Sequence, residues 1–515
     1  MFIQKVPFNA IPGFSKIQSD YLEQNNPIFK ESIDHSFTIG SFKNQLEAKK
    51  SFSQEDRKLL VELIENQYQQ IGVQKDVSIL LNPNTFTITT GHQLNIFTGP
   101  AYYIYKIITI INLSKKLKEA YPDYHFLPLF WLATEDHDFE EINHFTLFNK
   151  EYKWETNQTG PVGRFHLEGL GEILNELKDL PDIFSKAYSS NNLSESIRIL
   201  INGLFEQYGL ICLDADESKL KKKLVPIIKK EIFEQASQSI IQKKLNQFSS
   251  EGYEIKLFPR EINFFYMDSG FRERIVQEGE YFRVNQTNMV FTRQELENLI
   301  DEHPEKFSPN VVFRPVYQEL ILPNLAYIGG PGEIAYWLSL KGVFKLHEIP
   351  FPILAPRNTV FVLPSKLKNK MDQLGKPLEY FFQTDHEIKD NYLKENSEFT
   401  FELEEEIKAL EALFNQILEK GVQLDKTMEG PILGEKQKIL HSIQNLEKKL
   451  KKAEERKYET ALNQLYQIKN RLFPDGRWQE RKENFLNFSI NHPEFMDELI
   501  QELDPFDLKV NFIYL

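Results

Sequence analysis

The sequence predicts an α/β protein with a long helical hairpin set into it, on three observations. Strand-like, glycine-turn, helix-like and strand-like segments follow one another within residues 78–132, which makes a βαβ unit. Short apolar runs at 210–213, 311–313, 325–328 and 352–354 offer further strands for the same sheet. Between Leu403 and Leu472 apolar residues recur at coiled-coil spacing. At 515 residues the chain exceeds what one hydrophobic core supports, so two or three domains are expected.

Taken in order, residues 51–70 read as a polar helix with Ser53 as N-cap and Glu55 and Asp56 in its first turn. Residues 78–90 alternate, are rich in β-branched side chains, and lead as a strand into Thr89-Thr90-Gly91-His92-Gln93. Beyond Thr98-Gly99-Pro100, residues 101–111 are also β-branched, but a proline at a first helical turn and the later lysines favour a buried helix. Residues 124–132 are an almost unbroken apolar run, as in a strand covered on both faces. Such a unit opens its ligand crevice at the carboxyl ends of its strands. Residues 150–310 mix helices, at about 171–188, 194–208 and 217–249, with short strands, and read as a substantial insertion.

The pattern changes near residue 366. Leu403, Ile407, Leu410, Phe414 and Ile417 are spaced 4, 3, 4 and 3. Beyond Gly430-Pro431 and Gly434 the seam resumes at Ile439, Ile443, Leu446, Leu450 and Ala453. It slips through Lys457 to Ala461, Leu465, Ile468 and Leu472, a four-residue stutter that unwinds a supercoil locally. Two helices joined by a Gly-Pro turn give an antiparallel hairpin, its second arm about 38 residues and on the order of 57 Å long. One hairpin cannot cover a long apolar seam, so self-association is expected. The tail after Pro474-Asp475-Gly476 ends in a β-like stretch and is expected to return to the main body. The division is therefore 1–365 for the core, 366–472 for the helical insertion and 473–515 for the returning segment.

The net charge of −14 argues against nucleic acid as main partner, because neutralising phosphates needs a broad basic face. A small anionic ligand remains compatible if a few arginines and helix N-termini supply a local positive field. Lys221-Lys222-Lys223 and the lysines around Leu450 read as solvated helix faces. The single cysteine, Cys212, excludes an intrachain disulfide and suits a reducing, cytoplasmic setting. Its apolar neighbours mark a buried strand residue rather than a nucleophile. No run reaches the roughly 18 uncharged apolar residues of a membrane span, and the first residues lack the apolar stretch of a secretory signal.

Three segments carry candidate chemistry. In the first, Gly91 and Gly99 allow close approach and Pro100 starts a helix whose free N–H groups would hold an anion. His92 would add a charge-assisted hydrogen bond, with Lys106, Arg314 and Arg357 as candidate side-chain cations. A tight turn with His92 bonded to backbone is the competing reading. No P-loop pattern is present. In the second, Glu135-Asp136-His137-Asp138 follows a strand. If the next residues are helical, His137, Glu141 and His144 share a face and could take a divalent metal. His137 could equally serve as general base, or the acids as ordinary capping. In the third, Arg314, Gln318 and Glu319 precede Gly329-Gly330-Pro331-Gly332-Glu333, whose glycines can press backbone on a substrate. Glu333 is placed to take an ammonium or to act as a first-turn acid, and Arg357 to hold a carboxylate or phosphate bidentately.

As an ordered set these segments resemble the bacillithiol-biosynthesis cysteine-adding enzyme (BshC) family. The likeness rests on Thr90-Gly91-His92-Gln93, Thr98-Gly99-Pro100-Ala101-Tyr102, Phe130-Trp131 through Glu135-Asp136-His137-Asp138-Phe139, and Ser308-Pro309-Asn310. It continues in Arg314-Pro315 with Gln318-Glu319, Leu322-Pro323, Gly329 through Trp337, and Pro356-Arg357. The family usually has Gln-Gln where this chain has His92-Gln93. The resemblance implies a Rossmann-like core related to nucleotidyltransferases and class I aminoacyl-tRNA synthetases, with α/β insertions and a dimerising antiparallel coiled coil. It also implies ATP-dependent joining of cysteine to the amine of glucosaminyl-malate, the last step of bacillithiol synthesis, with Mg²⁺ and with ADP or AMP as product. On that reading Gly91, His92, Gln93, Thr98, Gly99, Pro100, Lys106 and Arg357 meet the nucleotide. Asp136, His137 or Asp138 serves the amine. Arg314, Gln318, Glu319, Gly329, Gly330, Gly332, Glu333 and Tyr336 meet substrate, Glu333 taking the cysteine ammonium. The partners are thus small molecules and a second copy of the chain, with no membrane or nucleic acid. A metal-dependent hydrolase on His137, Glu141 and His144 competes, as does a non-catalytic nucleotide-sensing coiled-coil scaffold.

Overall fold

The computed structural model describes residues 2–14, 16–177, 179–397 and 402–515. They fall into two compact units, one of residues 1–362 and 477–513, the other of 363–476 and 514–515.

In the first unit five parallel strands form the central sheet: β1 (Thr85–His92), β2 (His125–Leu132), β3 (Ile211–Asp214), β4 (Asn324–Gly329) and β5 (Ile353–Pro356). Their order is β5-β4-β1-β2-β3, with each adjacent pair parallel. The chain runs outward from β1 through β2 to β3, then returns to lay β4 on the opposite side of β1. The order therefore reverses between β1 and β4, and a parallel sheet takes its ligand outside the carboxyl ends at such a switch. Burial on both faces explains the apolar runs. The threonines of β1 fit because their hydroxyls find acceptors: Thr87 and Thr89 donate to Asn324 Oδ1 and Thr90 to Ile328 O.

Helix α1 (Tyr102–Ala120) joins β1 to β2. Its β-branched run, awkward for an isolated helix, is stabilised by burial on nearly every side. It packs on β1 and β2 and against the C-terminal helix Phe495–Glu502, where Asn112 donates to Leu503 O at 2.7 Å. The two termini of the chain meet in a small sheet ordered Phe2–Pro7, Lys509–Tyr514, Thr359–Leu363.

The insertion carries an antiparallel sheet ordered Val290–Thr292, Tyr281–Val284, Phe271–Glu278, Phe264–Asp268, Phe307–Pro309. Helix α2 (Ser218–Glu234) ends where Gln235 turns left-handed (φ 53°), so the stretch 217–249 is two helices rather than one. The stretch 171–188 also divides, into Leu170–Glu176 and Asp182–Ala187, with Pro181 before the second; Lys178 lies outside the described residues. Residues 311–313 are not a strand. Asn310 Oδ1 accepts from the N–H groups of Val312 and Phe313 and so starts helix α3 (Phe313–Ile321). Helix α4 (Pro331–Trp337) follows β4 directly.

In the second unit, helices α5 (Glu404–Leu424) and α6 (Glu429–Lys457) pack on one another, and α7 (Glu459–Leu472) packs on Ser365–Leu374 and Asp385–Asn396. The connection runs through Asp425 and Lys426–Met428 rather than through Gly430-Pro431. Those two residues sit in the first turn of α6, where a proline sacrifices no hydrogen bond. The expected single arm is broken at Tyr458, next to the stutter at Lys457. Residues 398–401 of the helical insertion lie outside the described residues.

Candidate active site

The carboxyl ends of β1, β2 and β4 open into a cavity of about 650 Å³. β1 contributes Gly91 and His92, α1 contributes Tyr102 and Lys106, and the loop after β2 contributes Glu135 and Asp136. Arg314 of α3, Tyr327 of β4, and Glu333 and Tyr336 of α4 form a second wall. The inserted sheet closes the third with Arg272 and Arg274, two apart on one strand and hence on one face, and the loop before it adds Phe258 and Arg260.

At the centre Lys106 Nζ lies 2.5 Å from Glu333 Oε2 and donates to Gly91 O at 3.0 Å. Burial tends to raise the Glu333 carboxyl, but the Lys106 charge and hydrogen bonds from Lys106, Tyr327 and the Gly330 N–H hold it down at about 2. Burial lowers Lys106, and Glu333 opposes that. Two fixed acceptors on Nζ, one of them a carboxylate with three donors, favour the ion pair. The turn Gly329-Gly330 exists to bring Glu333 here: a Cβ on Gly329 would stand 3.1 Å from that of Glu333. Gly329, Gly330 and Gly332 do not themselves line the cavity.

His92 reaches the cavity as a neutral ring. Nδ1 is 3.2 Å from Gln93 O and so carries the hydrogen, and Nε2, 3.0 Å away, accepts from the Tyr102 hydroxyl. Burial first, and then Lys106, push its pKa down to about 3. In this setting the neutral ring is favoured over the charged contact to a phosphate that the sequence suggests. The expected anion site at residues 98–100 is corrected. Phe97, Thr98 and Gly99 take left-handed conformations. Asn484 donates to Phe97 O and Gly99 O, and Ala101 N–H donates to Glu483 O. Thr98, Gly99 and Pro100 do not line the cavity; the C-terminal segment docks on them instead.

Arg357 lies outside the cavity lining and gives both terminal nitrogens to a two-pronged pair with Glu480 at 2.7 and 2.5 Å, both side chains at most 3% exposed, which leaves only its buried Nε without a partner. Gln318 and Glu319 are buried behind the site. Glu319 accepts from Lys49 at 2.8 Å and Asn324 at 2.6 Å, which fastens α3 to β4 and the helix Phe42–Lys49. Asp136 lines the cavity, but its oxygens accept from Gln93 and from the N–H groups of His137 and Asp138. Although burial works the other way, Arg272 and these donors keep its carboxyl below the ordinary range. His137 sits outside the cavity lining and accepts at Nδ1 from Arg272, at 2.9 Å; Asp138 is exposed. The metal-binding face does not form. Phe139–Glu141 is a short turn and His144 opens a strand, so the i, i+4, i+7 spacing has no helix beneath it. Among the described residues no acid and histidine cluster could hold a metal ion.

Among the described residues of the lining, three arginines keep capacity for a ligand. Arg314 makes only long contacts, 3.3–3.4 Å, to Gln318, Tyr327 and Tyr336. The guanidinium groups of Arg260 and Arg274 carry no hydrogen bond or ion pair among the described residues, and Nε of Arg274 is buried without a partner. A polar cavity that leaves buried donors unsatisfied is suited to an anion. Sequence reasoning missed Arg260, Arg272 and Arg274, whose one signal was the alternate spacing of the last two. It also missed Lys221, which is fully buried against Glu135 and Asp216 while Lys222 and Lys223 are exposed. Cys212 is as expected, buried in β3 with its thiol pushed up to about 11 by that burial.

Residues 1–358 match the family model described as bacillithiol biosynthesis BshC, N-terminal Rossmann-like domain, and residues 360–515 match its C-terminal coiled-coil domain. Three relatives carry the name "Putative cysteine ligase BshC". That of Flavobacterium johnsoniae is 39% identical over 97% of each chain. That of Flavobacterium psychrophilum is 40% identical over 95% of this chain and 94% of its own. That of Cytophaga hutchinsonii is 37% identical over 98% and 97%.

Proposed function

This chain belongs to the bacillithiol-biosynthesis BshC family, and on that premise we propose that it is an ATP-dependent ligase joining the carboxyl of cysteine to the amine of glucosaminyl-malate. The observation that supports this reading is the switch-point cavity, where Arg260 and Arg274, without side-chain partners among the described residues, and Arg314, held only by long contacts, face carboxylates held in fixed places. A carboxylate is a poor acyl donor at neutral pH. ATP, as co-substrate with Mg²⁺, would convert it into an acyl-phosphate or acyl-adenylate. Every reactant carries a phosphate or carboxylate group, so Arg260, Arg274 and Arg314 would receive these groups and stabilise charge on the departing one. Lys106 is oriented by Gly91 O and Glu333 to face the same groups. Among the described residues Glu333 Oε1 accepts a hydrogen bond from Tyr327 alone, so it can take one further donor, the cysteine ammonium. Neutral His92 would hold Tyr102 in place and accept or donate hydrogen bonds without charge.

Incubation with ATP, Mg²⁺, cysteine and glucosaminyl-malate, followed by mass spectrometry, tests the reading. Bacillithiol with AMP or ADP is the expected outcome, and the nucleotide product identifies the activation chemistry. Absence of both product and nucleotide turnover would sink it. A homodimer through the helical hairpin belongs to the same proposal, supported by the exposed seam residues Ile417 (40%), Leu446 (53%) and Leu450 (49%). Leu446→Glu with Leu450→Glu should halve the native mass in solution; an unchanged mass would remove the hairpin from the interface.

A further inference from the structure

One buried cation, Lys221 of α2, is not used by the chemistry above. Its three hydrogens meet three acceptors: Glu135 Oε1 at 2.5 Å, Asp216 Oδ1 at 2.9 Å and Glu305 O at 3.2 Å. Asp216 has its other oxygen held by Arg164 at 2.7 Å. Glu135 has no such second tie. Among the described residues its Oε2 receives no hydrogen bond, and the residue lines the cavity. The neighbouring candidates differ. Asp136 is satisfied at both oxygens, His137 accepts from a guanidinium, and Asp138 lies outside the lining.

We infer that Glu135 is the base that takes the proton from the attacking amine, and that Lys221 is the positioning residue that fixes its carboxylate with Oε2 left for the substrate. The inference rests on the ligase reading. The neutral amine adds to the carbonyl carbon of the activated cysteine and a C–N bond forms. The C–O bond to the phosphate or adenylate breaks, and the leaving oxygen keeps the electron pair. The extra proton on nitrogen passes to Glu135 Oε2 and is lost to water when product leaves. The charged and titratable groups around Glu135 are Lys221 of α2, Asp216 beyond β3, Arg272 of the inserted sheet, Tyr317 of α3 and its neighbour Asp136. Burial raises the Glu135 carboxyl above its ordinary range, Lys221 draws it down, and Asp216 pushes it up. Without Lys221 only the raising influences and the more distant Arg272 remain, so Glu135 would stay protonated to higher pH.

The test separates the two half-reactions. Hydroxylamine traps activated cysteine as a hydroxamate without the amine acceptor, and mass spectrometry follows the complete product. Glu135→Gln should slow product formation about 100-fold or more while slowing hydroxamate formation far less. Lys221→Met should move the acidic limb of the kcat/KM profile for the acceptor upward by about one pH unit, and Lys221→Arg should largely restore it. The double variant Glu135→Gln, Lys221→Met removes both charges and leaves Asp216 its arginine, so it should fold and remain slow. Product formation by Glu135→Gln within about threefold of wild type, or an unmoved acidic limb in Lys221→Met, would overturn the inference. A wild type that traps no hydroxamate would overturn the ligase reading and the inference with it.

Discussion

Two places at the carboxyl end of the same sheet invite comparison: the turn at residues 97–101 with Arg357, and the cavity wall built from Arg260, Arg274 and Arg314. The first breaks local rules most conspicuously, with three successive left-handed residues, a Gly-Pro pair and a nearby arginine. Yet its polar groups are largely consumed within the protein, by Asn484, by Glu483 O and by Glu480. In the second, Arg260 and Arg274 are unremarkable in sequence and their guanidinium groups carry no hydrogen bond or ion pair among the described residues, while Arg314, flagged in the sequence, makes only long contacts. Local irregularity marks a demand on the backbone. Capacity for chemistry is marked by donors and acceptors the fold leaves unmet, and only the folded chain shows which those are.

The contrast can be broken by substitution. Arg357→Ala leaves Glu480 buried without its partner and should cost about 3–5 kcal/mol of stability, read by denaturant titration. The folded fraction should keep its kcat/KM, and a loss of turnover without loss of stability would return Arg357 to the site. Arg314→Met should do the reverse, lowering kcat/KM about 100-fold with the melting temperature nearly unchanged. Next comes His92. Its folded pKa of about 3 lies below the ordinary 6.5, so the unfolded chain takes up the proton first. Stability is therefore lost as pH falls from about 6.5 towards 3, on the order of 2 kcal/mol by pH 4.5. His92→Gln should flatten that decline; an equally steep decline would mean His92 is already charged in the fold. Smallest, Arg274→Ala should raise the KM of one anionic substrate about tenfold, or about 1.4 kcal/mol, with a weaker salt dependence.

The strand–helix–strand unit was legible because parallel strands and the helix covering them are buried on both sides, which leaves a β-branched run before Gly91 and an almost unbroken apolar run around Phe130. The coiled-coil stutter was legible from the phase shift in the 3-4 apolar spacing, and the helix does break beside it at Tyr458. Residues 311–313 misled because their apolar run is short, and one Asn310 side chain suffices to start a helix there. The acids after β2 were visible as a group, but their separate roles were not. Asp136 differs from Glu135 through its local turn to His137 and Asp138 and through Gln93, Arg272 and Lys221, the last three 43 to 136 positions away or on other elements. Lys221 looked like its exposed neighbours because burial of a lysine depends on two acids brought to it by the fold. The arginines of the inserted sheet carried only an alternate spacing, which many exposed strands share.

The most direct test compares product formation by the wild type, the triple variant Arg260→Ala, Arg274→Ala, Arg314→Met, and the double variant Arg357→Met, Glu480→Met. Each would be supplied with ATP, Mg²⁺, cysteine and glucosaminyl-malate. The wild type and the double variant should form bacillithiol at similar rates per folded molecule, and the triple variant should form none above background while still melting cooperatively. A folded triple variant that turns over at the wild-type rate would contradict the placement of the reaction in this cavity.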